Sequence, residues 1–296
     1  MASAPPLRIW LYSALLVMGV MVPLALQRWS PWRGPDHAIA DHTRQFLATP
    51  LSDGKVRVLG LGSSLLWAAT PPVLTQVAMP GIDWMRMTKP GAGIGYLEPS
   101  LEIIEHNPPD VLIIEANLLL PDQNDTTMDE LRQDFMLATK TMIYRIIGNA
   151  GLVVPPQAYV ALVDQREPAQ CNGTPSYMRR HEALNNAANL QTMFDNTAVN
   201  LQLTKQLQRL AQRGVRIVVL ELRRSELVEQ FIAPQKQEWL SRLRQALPPS
   251  HHIYYLTSPT YAQQDLYCDG SHLNAAGARL FAPWWAAQLQ QLRDER

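Results

Sequence analysis

The sequence has little cysteine: Cys171 and Cys268 are its only two in 296 residues, and they lie far apart. No C-x-x-C pair occurs, so the chain lacks the cysteine spacing that is typical of structural metal sites. In an oxidising compartment the two thiols could form a disulfide. Two buried, reduced thiols are the alternative, and the sequence does not decide between them.

The chain also lacks an excess of charge of either sign. It has 26 basic and 26 acidic residues, a formal net charge of +0, and no run of like charges. Proteins that bind nucleic acid mainly through its phosphates need a basic surface, so this balance argues against nucleic acid as the main partner. No fixed-period repeat is present, and the length suffices for a self-supporting core.

Residues 9–26 form a long apolar run without any charge. Eighteen helical residues span about 27 Å, close to the hydrocarbon thickness of a bilayer, and tryptophans lie near both ends of the run. We therefore predict an uncleaved membrane anchor over residues 1–27, followed by a linker and a first helix over 28–50. A cleavable signal peptide and a buried core helix are the alternatives, although no clean A-x-A cleavage site follows the run.

Four short apolar runs in the rest of the chain have the length and composition of buried strands: 56–61, 111–114, 215–220 and 253–256. Continuous apolar strands are typical of a parallel sheet that is covered by helices on both faces. Helical patterns lie between and after these runs, at 97–106, 126–148, 183–213, 225–246 and 274–294. The alternation predicts an α/β fold, a parallel-sheet three-layer α/β/α domain over residues 51–296.

Residues 119–200 are more than one crossover needs, and we predict that they form a mostly helical insertion, which could serve as a lid or a partner surface. The segment 126–148 is apolar enough to bind a partner, although a packed core helix accounts for the same pattern. Arg179 and Arg180 could contact an anionic or sugar substrate, and a solvated basic face is the simpler interpretation.

Small polar residues follow the first predicted strand, in Gly60-Leu61-Gly62-Ser63-Ser64. Ligands of parallel α/β sheets bind beyond the carboxyl ends of the strands. Glycines permit a sharp turn into a helix, where a serine is exposed and its N–H can bind an oxyanion. A plain turn with a helix cap accounts for the same residues.

Two further segments offer hydrogen-bond donors. Gly91 belongs to the glycine-rich loop 89–95, and Asn117 follows the second predicted strand. The loop does not have the G-x-G-x-x-G dinucleotide fingerprint, and no suitable acidic residue follows it. A glycine lets its backbone N–H approach a substrate closely, and an asparagine can donate to an oxyanion or cap a turn.

Asp269 and His272 lie three residues apart near the C-terminus, on one face of a helical turn. A carboxylate beside a histidine selects one tautomer and stabilises the imidazolium form, as a base acting on serine requires. We see no such arrangement around the other six histidines.

The order of these blocks resembles the SGNH (GDSL-like) hydrolase superfamily, over roughly residues 55–120 and 250–290. The resemblance implies that Ser64 is the nucleophile, His272 its base and Asp269 the orienting acid. It also implies an oxyanion hole made by Ser64, Gly91 and Asn117, with no cofactor and no metal. Ser63 stands where the family usually has Asp, which is similar to membrane-anchored members such as the D-alanyl transfer protein and polysaccharide O-acetyltransferase or esterase domains.

The resemblance therefore implies a membrane-anchored serine acyltransferase or acyl esterase that acts on an envelope or secreted glycopolymer. Such an enzyme would use an acyl donor and a glycopolymer acceptor, beside a membrane-bound O-acyltransferase or a polysaccharide export complex. It would be single-pass in the bacterial inner membrane, with its catalytic domain facing the periplasm or the cell exterior. A lipase-like or thioesterase-like SGNH enzyme for small acyl substrates, and a non-catalytic SGNH scaffold, are the alternatives.

Overall fold

The computed structural model describes residues 35–71 except 53, 79–120 except 90, 176–295, and residues 10–12, 15 and 17–19 near the N-terminus. The chain divides into two compact units. One comprises Met1–His42 and Asn124–Val163, and the other comprises Thr43–Gln123 and Asp164–Arg296. The sheet and the candidate site both belong to the second unit.

Five parallel strands form the sheet, in the order β2-β1-β3-β4-β5. Their bounds are Val56–Gly62 for β1, Ile82–Thr88 for β2, Val111–Glu115 for β3, Arg216–Glu221 for β4 and Ile253–Thr257 for β5. Every residue of β1, β3 and β4 is buried, as expected for strands with helices on both faces. The predicted parallel α/β sheet is confirmed.

The helices that accompany the sheet are α1 Pro35–Ala48, α2 Ser64–Ala69, α3 Ile94–His106, α4 Ser176–Asn196, α5 Leu201–Gln212, α6 Glu226–Ala246 and α7 Ala275–Asp294. The sequence pattern predicted one helix over 183–213, and the structure has two. Asn200 separates them, because its side-chain oxygen accepts hydrogen bonds from the N–H groups of Gln202 and Leu203 and so caps the start of α5.

Both faces of the sheet are covered. On one face, Val58 and Val111 pack in a single apolar cluster with Phe281 and Trp285 of α7. Neighbouring strand residues point to the opposite face, where α5 lies against β4 and α3. The site at the strand ends is therefore supported from above and below by packed helices.

The edge strand β2 is the element that the apolar pattern did not predict. Asp83 and Arg86 interrupt its apolar residues, so it has no continuous hydrophobic run. It pairs in parallel with β1, from Val56 opposite Ile82 to Gly62 opposite Thr88. Asp83 is only partly buried, whereas Arg86 is buried and its guanidinium donates to the backbone carbonyls of Trp67 and Thr70. In the described part of the chain the sheet has five strands, where the pattern indicated four.

Among the described residues, no helix combines the length and the apolar character needed to cross a membrane. Most of the run 9–26 lies outside those residues, and so does the predicted helix 126–148. The membrane anchor and the domain boundaries stay predictions. Within the predicted insertion over 119–200, the described helix α4 is consistent with its helical character.

Candidate active site

A cavity of about 620 Å³ lies beyond the carboxyl ends of the strands. This is the edge of a parallel sheet at which ligands bind, because several loops converge there. The residues predicted from the sequence all line the cavity, although they come from distant parts of the chain: Ser64, Gly91, Asn117, Asp269 and His272.

The turn between β1 and α2 presents Ser64 to the cavity. β1 ends at Gly62 and α2 begins at Ser64, so one residue, Ser63, makes the connection and caps the helix with a 3.3 Å hydrogen bond from Leu65 N. A Cβ at Gly62 would lie 2.3 Å from Leu66 Cβ, which explains the glycine. As the first helical residue, Ser64 has a backbone N–H without an acceptor in its own helix.

A continuous chain of hydrogen bonds joins Ser64, His272 and Asp269. Ser64 Oγ lies 2.7 Å from His272 Nε2, and His272 Nδ1 lies 2.7 Å from Asp269 Oδ2. An ionised carboxylate can only accept, so Nδ1 carries the proton and Nε2 is left to accept from the serine hydroxyl. In this tautomer, the imidazole can remove the hydroxyl proton when Ser64 attacks.

Asp269 is held as a carboxylate. Its Oδ1 accepts from the backbone N–H groups of Ser271 and His272, each at 2.9 Å. Burial by itself raises the pKa of Asp269, but the hydrogen bond and charge of His272, together with these two N–H groups, outweigh it and lower the pKa to about 2. The negative charge beside His272 is therefore maintained at neutral pH.

The loop that carries Asp269 and His272 is packed tightly. Gly270 has φ 81°, and a Cβ there would lie 2.5 Å from the Cβ of Ala183 on α4. Its carbonyl accepts from Ser225 N at 2.8 Å. Cys268, next to Asp269, is disulfide-bonded. Of the two alternatives left open by the sequence, a disulfide or two reduced thiols, Cys268 has the disulfide. Cys171 lies outside the described residues.

The predicted oxyanion donors border the same cavity. Gly91 has φ 71°, a left-handed conformation that favours glycine. Asn117 lies just after β3, and its Nδ2 donates to Glu115 Oε1 at 3.0 Å. An amide nitrogen has two hydrogens, so the second N–H of Asn117 is left to bind a ligand.

Glu115 is a central residue of the site that the sequence analysis missed. It is completely buried at the end of β3. One oxygen accepts from Ser63 N at 2.7 Å and Leu66 N at 3.2 Å, and the other from Ser63 Oγ at 2.7 Å and Asn117 Nδ2. Glu115 thus joins the turn before Ser64 to Asn117, the predicted oxyanion donor. The sequence did contain a signal, since Glu115 directly follows four apolar strand residues. An acidic side chain is rarely buried unless it is paired, so its position indicated that it has hydrogen-bond partners.

A second missed residue, Arg224, lies in the cavity lining between β4 and α6. It is 3% exposed, and burial lowers its pKa while the surrounding carboxylates, Glu229 foremost, raise it. Beneath it, Lys236 Nζ binds Glu221 at 2.7 Å and Glu229 at 2.6 Å. The sequence L-R-R-S offers no periodic or motif signal that distinguishes Arg224 from Arg223.

Helix α4, within the predicted insertion, forms a wall of the cavity. Its apolar side, which includes Ala187 and Phe194, packs along α6, where the ring of Phe194 lies 5.7 Å from that of Trp239. Asn189 and Met193 line the cavity. Arg180 is exposed and is not part of that lining. In the described part of the chain, no group of three His, Cys, Asp or Glu side chains is arranged to hold a metal ion.

Comparisons with known proteins leave the family open. No protein-family model matches the chain, and no curated protein matches it either. Among solved structures, it is similar to an acetyl xylan esterase from the rumen bacterium Butyrivibrio proteoclasticus, with 8% identity and a TM-score of 0.36. That match covers 84% of this chain and 66% of the other, which is just under two thirds. Membership of the SGNH superfamily stays a prediction.

Proposed function

We propose that the chain is a serine-dependent acyl esterase or acyltransferase, with Ser64 as nucleophile, His272 as general base and Asp269 as its orienting acid. The observation that supports this most is the hydrogen-bond chain from Ser64 Oγ through the imidazole to the Asp269 carboxylate, with both heavy-atom distances at 2.7 Å. A general base must lie within hydrogen-bond reach of the proton it removes, and this one does.

In the first half-reaction, His272 Nε2 takes the hydroxyl proton as Ser64 Oγ attacks the carbonyl carbon of an acyl ester. The carbonyl oxygen becomes an oxyanion, to which the N–H groups of Ser64 and Gly91 and the free N–H of Asn117 donate. Removing one such donor typically costs about 3 kcal/mol of transition-state stabilisation. The bond to the leaving alcohol then breaks, and His272 gives that alcohol the proton.

In the second half-reaction, a hydroxyl compound gives its proton to His272 Nε2 and attacks the acyl carbon. The bond to Ser64 Oγ breaks, and Ser64 regains a proton from the imidazole. With water as the acceptor the reaction is hydrolysis, and with a sugar hydroxyl it is acyl transfer. Both outcomes use the same three side chains and the same oxyanion donors.

The proposed substrate is an acyl ester, O-acetyl or similar, of an envelope or secreted glycopolymer. The motif order that resembles the SGNH superfamily supports this, and so does the apolar run 9–26, which would tether the enzyme where such polymers emerge. In the same proposal, the chain is single-pass in a bacterial inner membrane and faces the periplasm or the exterior. It works there beside a membrane-bound O-acyltransferase or an export complex.

The test uses the full-length chain with p-nitrophenyl acetate, in the absence and presence of an oligosaccharide acceptor. Nitrophenol release reports acylation of the enzyme, and mass spectrometry of the sugar reports transfer. Ser64→Ala removes the nucleophile, and Ser241→Ala, on the exposed side of α6, is the matched control. We expect release that depends on Ser64 and not on Ser241.

Acetate found on the sugar would make the chain a transferase, and acetate found only in solution would make it an esterase. Equal nitrophenol release by wild type and Ser64→Ala would refute the assignment of Ser64. Absence of release from both proteins, with folding verified by circular dichroism, would favour the scaffold alternative.

A further inference from the structure

Arg224 is a buried arginine at the candidate active site, and two of its guanidinium nitrogens have no acceptor among the described residues. The residue is 3% exposed and lines the cavity that contains Ser64 and His272. Within the described part of the chain, Nε and Nη1 have no hydrogen-bond partner, and the guanidinium forms no ion pair. The hydrogen bonds of Arg224 to other described residues are made by its main chain, whose N–H donates to Glu229 Oε1 at 2.8 Å and whose carbonyl accepts from Thr260 Oγ1 at 2.6 Å.

A buried guanidinium without acceptors is unfavourable, because the group loses its hydration and gains no replacement. Lys236, buried to a similar degree beneath the same loop, shows the usual solution, since its ammonium binds two carboxylates. The guanidinium of Arg224 has no such carboxylate partner among the described residues, although the main chain of Arg224 is held by two hydrogen bonds. Its donors are therefore available to a ligand that occupies the cavity.

The carboxylates that act on Arg224 through space are those of Glu229, Glu115, Asp269 and Glu221. Each of them is already engaged by other donors. Glu229 and Glu221 bind Lys236, Glu115 binds the Ser63 turn, and Asp269 binds His272. None of these oxygens lies within 4 Å of the guanidinium to form an ion pair in the described chain.

We propose that Arg224 binds a carboxylate of the substrate, beside the ester that Ser64 attacks. The inference rests on the proposed function and specifies its substrate class. A guanidinium matches the two oxygens of a carboxylate in a planar, bidentate pair. A single negative charge suits the cavity better than a phosphate dianion, since Asp269 already contributes one negative charge to the lining.

The carboxylate could belong to either part of the ester. It could lie on the acyl group, as in the half-ester of a dicarboxylic acid. It could also lie on the alcohol, as in an acetylated uronic acid residue of a glycopolymer. The chemistry that Arg224 recognises is the same in both cases, so two pairs of substrates are needed to distinguish them.

The experiment measures kcat/KM of the full-length chain on two matched pairs of esters. For the acyl side, the pair is mono-4-nitrophenyl adipate and 4-nitrophenyl hexanoate. For the alcohol side, it is O-acetylated methyl glucuronide and O-acetylated methyl glucoside, followed by acetate release. We expect the charged member of one pair to be preferred by at least about tenfold, the factor that one charge-assisted hydrogen bond supplies.

Arg224→Met should abolish that preference, because kcat/KM for the charged member should fall by about tenfold more than kcat/KM for the neutral member. Arg223→Met is the matched control: it removes the same charge one residue away, from a partly exposed side chain outside the cavity lining. An Arg224 variant that lowers both members by the same factor would show a structural role and overturn the proposal.

A binding measurement keeps the inference independent of turnover. In the Ser64→Ala protein, methyl glucuronide or adipate should raise the thermal midpoint by at least about 2 °C at saturation. Methyl glucoside and adipamide should not, and neither should the carboxylates with Ser64→Ala/Arg224→Met. Stabilisation of the Ser64→Ala protein by the carboxylates, with no ester cleaved by the wild type, would support the Arg224 site and refute the proposed function. No stabilisation and no charge preference would refute the Arg224 site alone.

Discussion

Arg57 and Arg224 are both buried, with 6% and 3% exposure, yet their surroundings differ completely. Arg57, near the amino end of β1, donates to the carbonyls of Leu47 and Thr49 at 2.7 and 2.5 Å and pairs with Asp83 at 3.3 Å. Arg224, beyond the carboxyl end of β4, has a guanidinium with no partner among the residues that the structure describes.

The difference teaches how the two edges of this sheet are used. At the amino edge, two backbone carbonyls and a carboxylate satisfy the buried charge, and Arg57 joins Leu47 at the end of α1 and the following Thr49 to β1 and β2. At the carboxyl edge the loops surround a cavity, so donors remain for a ligand. We expect substitutions at the first edge to affect stability and at the second to affect catalysis.

The largest effect should come from Ser64→Ala. Without the proposed nucleophile, kcat/KM on p-nitrophenyl acetate should fall by at least about 10⁴-fold, because losing the serine of an established triad costs up to about 10⁶-fold. The free energy of unfolding should change by less than about 1 kcal/mol, because one partly exposed hydrogen bond is lost. Esterase kinetics and urea unfolding of the same preparation measure both. A loss of stability as large as that of a core mutant would break the contrast between the edges.

Glu115→Gln tests a residue that we expect to affect both stability and catalysis. A glutamine can keep its oxygen towards the N–H groups of Ser63 and Leu66, but its amide then faces Asn117 Nδ2, donor against donor. We expect Asn117 to reorient, with a loss of activity of about 10²-fold and of stability of about 2 kcal/mol.

The matched control for Glu115→Gln is Glu102→Gln, which removes the same charge from an exposed position of α3. It should leave both quantities unchanged. Full activity in Glu115→Gln would show that Asn117 does not stabilise the oxyanion.

Arg57→Met and Arg224→Met compare the two edges directly. Arg57→Met leaves the Thr49 carbonyl without its donor and Asp83 without its ion-pair partner, while the Leu47 carbonyl keeps only Asn107 Nδ2. It should lower the free energy of unfolding by about 3 kcal/mol. Arg224→Met removes no guanidinium hydrogen bond and should cost less than about 1 kcal/mol. Urea denaturation at neutral pH measures the difference. Equal losses would mean that Arg224 has a structural role after all.

The smallest effect concerns the pH dependence of stability. The pKa of Asp269 is about 2 in the folded chain, below its ordinary value of 3.8. The ionised carboxylate therefore stabilises the fold above pH 4, and this contribution is lost as the pH falls from about 4 to 2. Compared with Asp269→Asn, wild type should lose about 2 kcal/mol more between pH 5 and pH 2. Parallel pH profiles of unfolding for the two proteins would contradict the strength of the His272–Asp269 contact.

Much of the architecture could be predicted because a buried strand requires a run of apolar residues that is visible in the local sequence. β1, β3, β4 and β5 each contain a short apolar run, as strands inside a parallel sheet must. The edge strand β2 carries Asp83 and Arg86 and therefore had no such mark. The single predicted helix 183–213 is divided at Asn200, whose capping role depends on the conformation of its side chain.

The candidate site also contains residues that could be predicted from local sequence and residues that could not. Ser64, Gly91, Asn117, Asp269 and His272 stand in short motifs whose order along the chain suggested the chemistry. The role of Glu115 could not be predicted from its neighbours in sequence, because three of its four donors lie 49 to 52 residues earlier and the fourth lies two residues later. The distances between Ser64, His272 and Asp269 depend on how the strands are ordered in the sheet.

The sequence by itself determined the parallel α/β sheet and the residue types that converge at its carboxyl edge, because strand burial and turn chemistry are encoded locally. It could not distinguish Arg223 from Arg224. Only the tertiary structure leaves the side chain of Arg223 36% exposed and buries Arg224 in the cavity wall. Adjacent side chains in a loop point in different directions, and the packing of α4, α6 and the Asp269 loop decides which of the two loses its water.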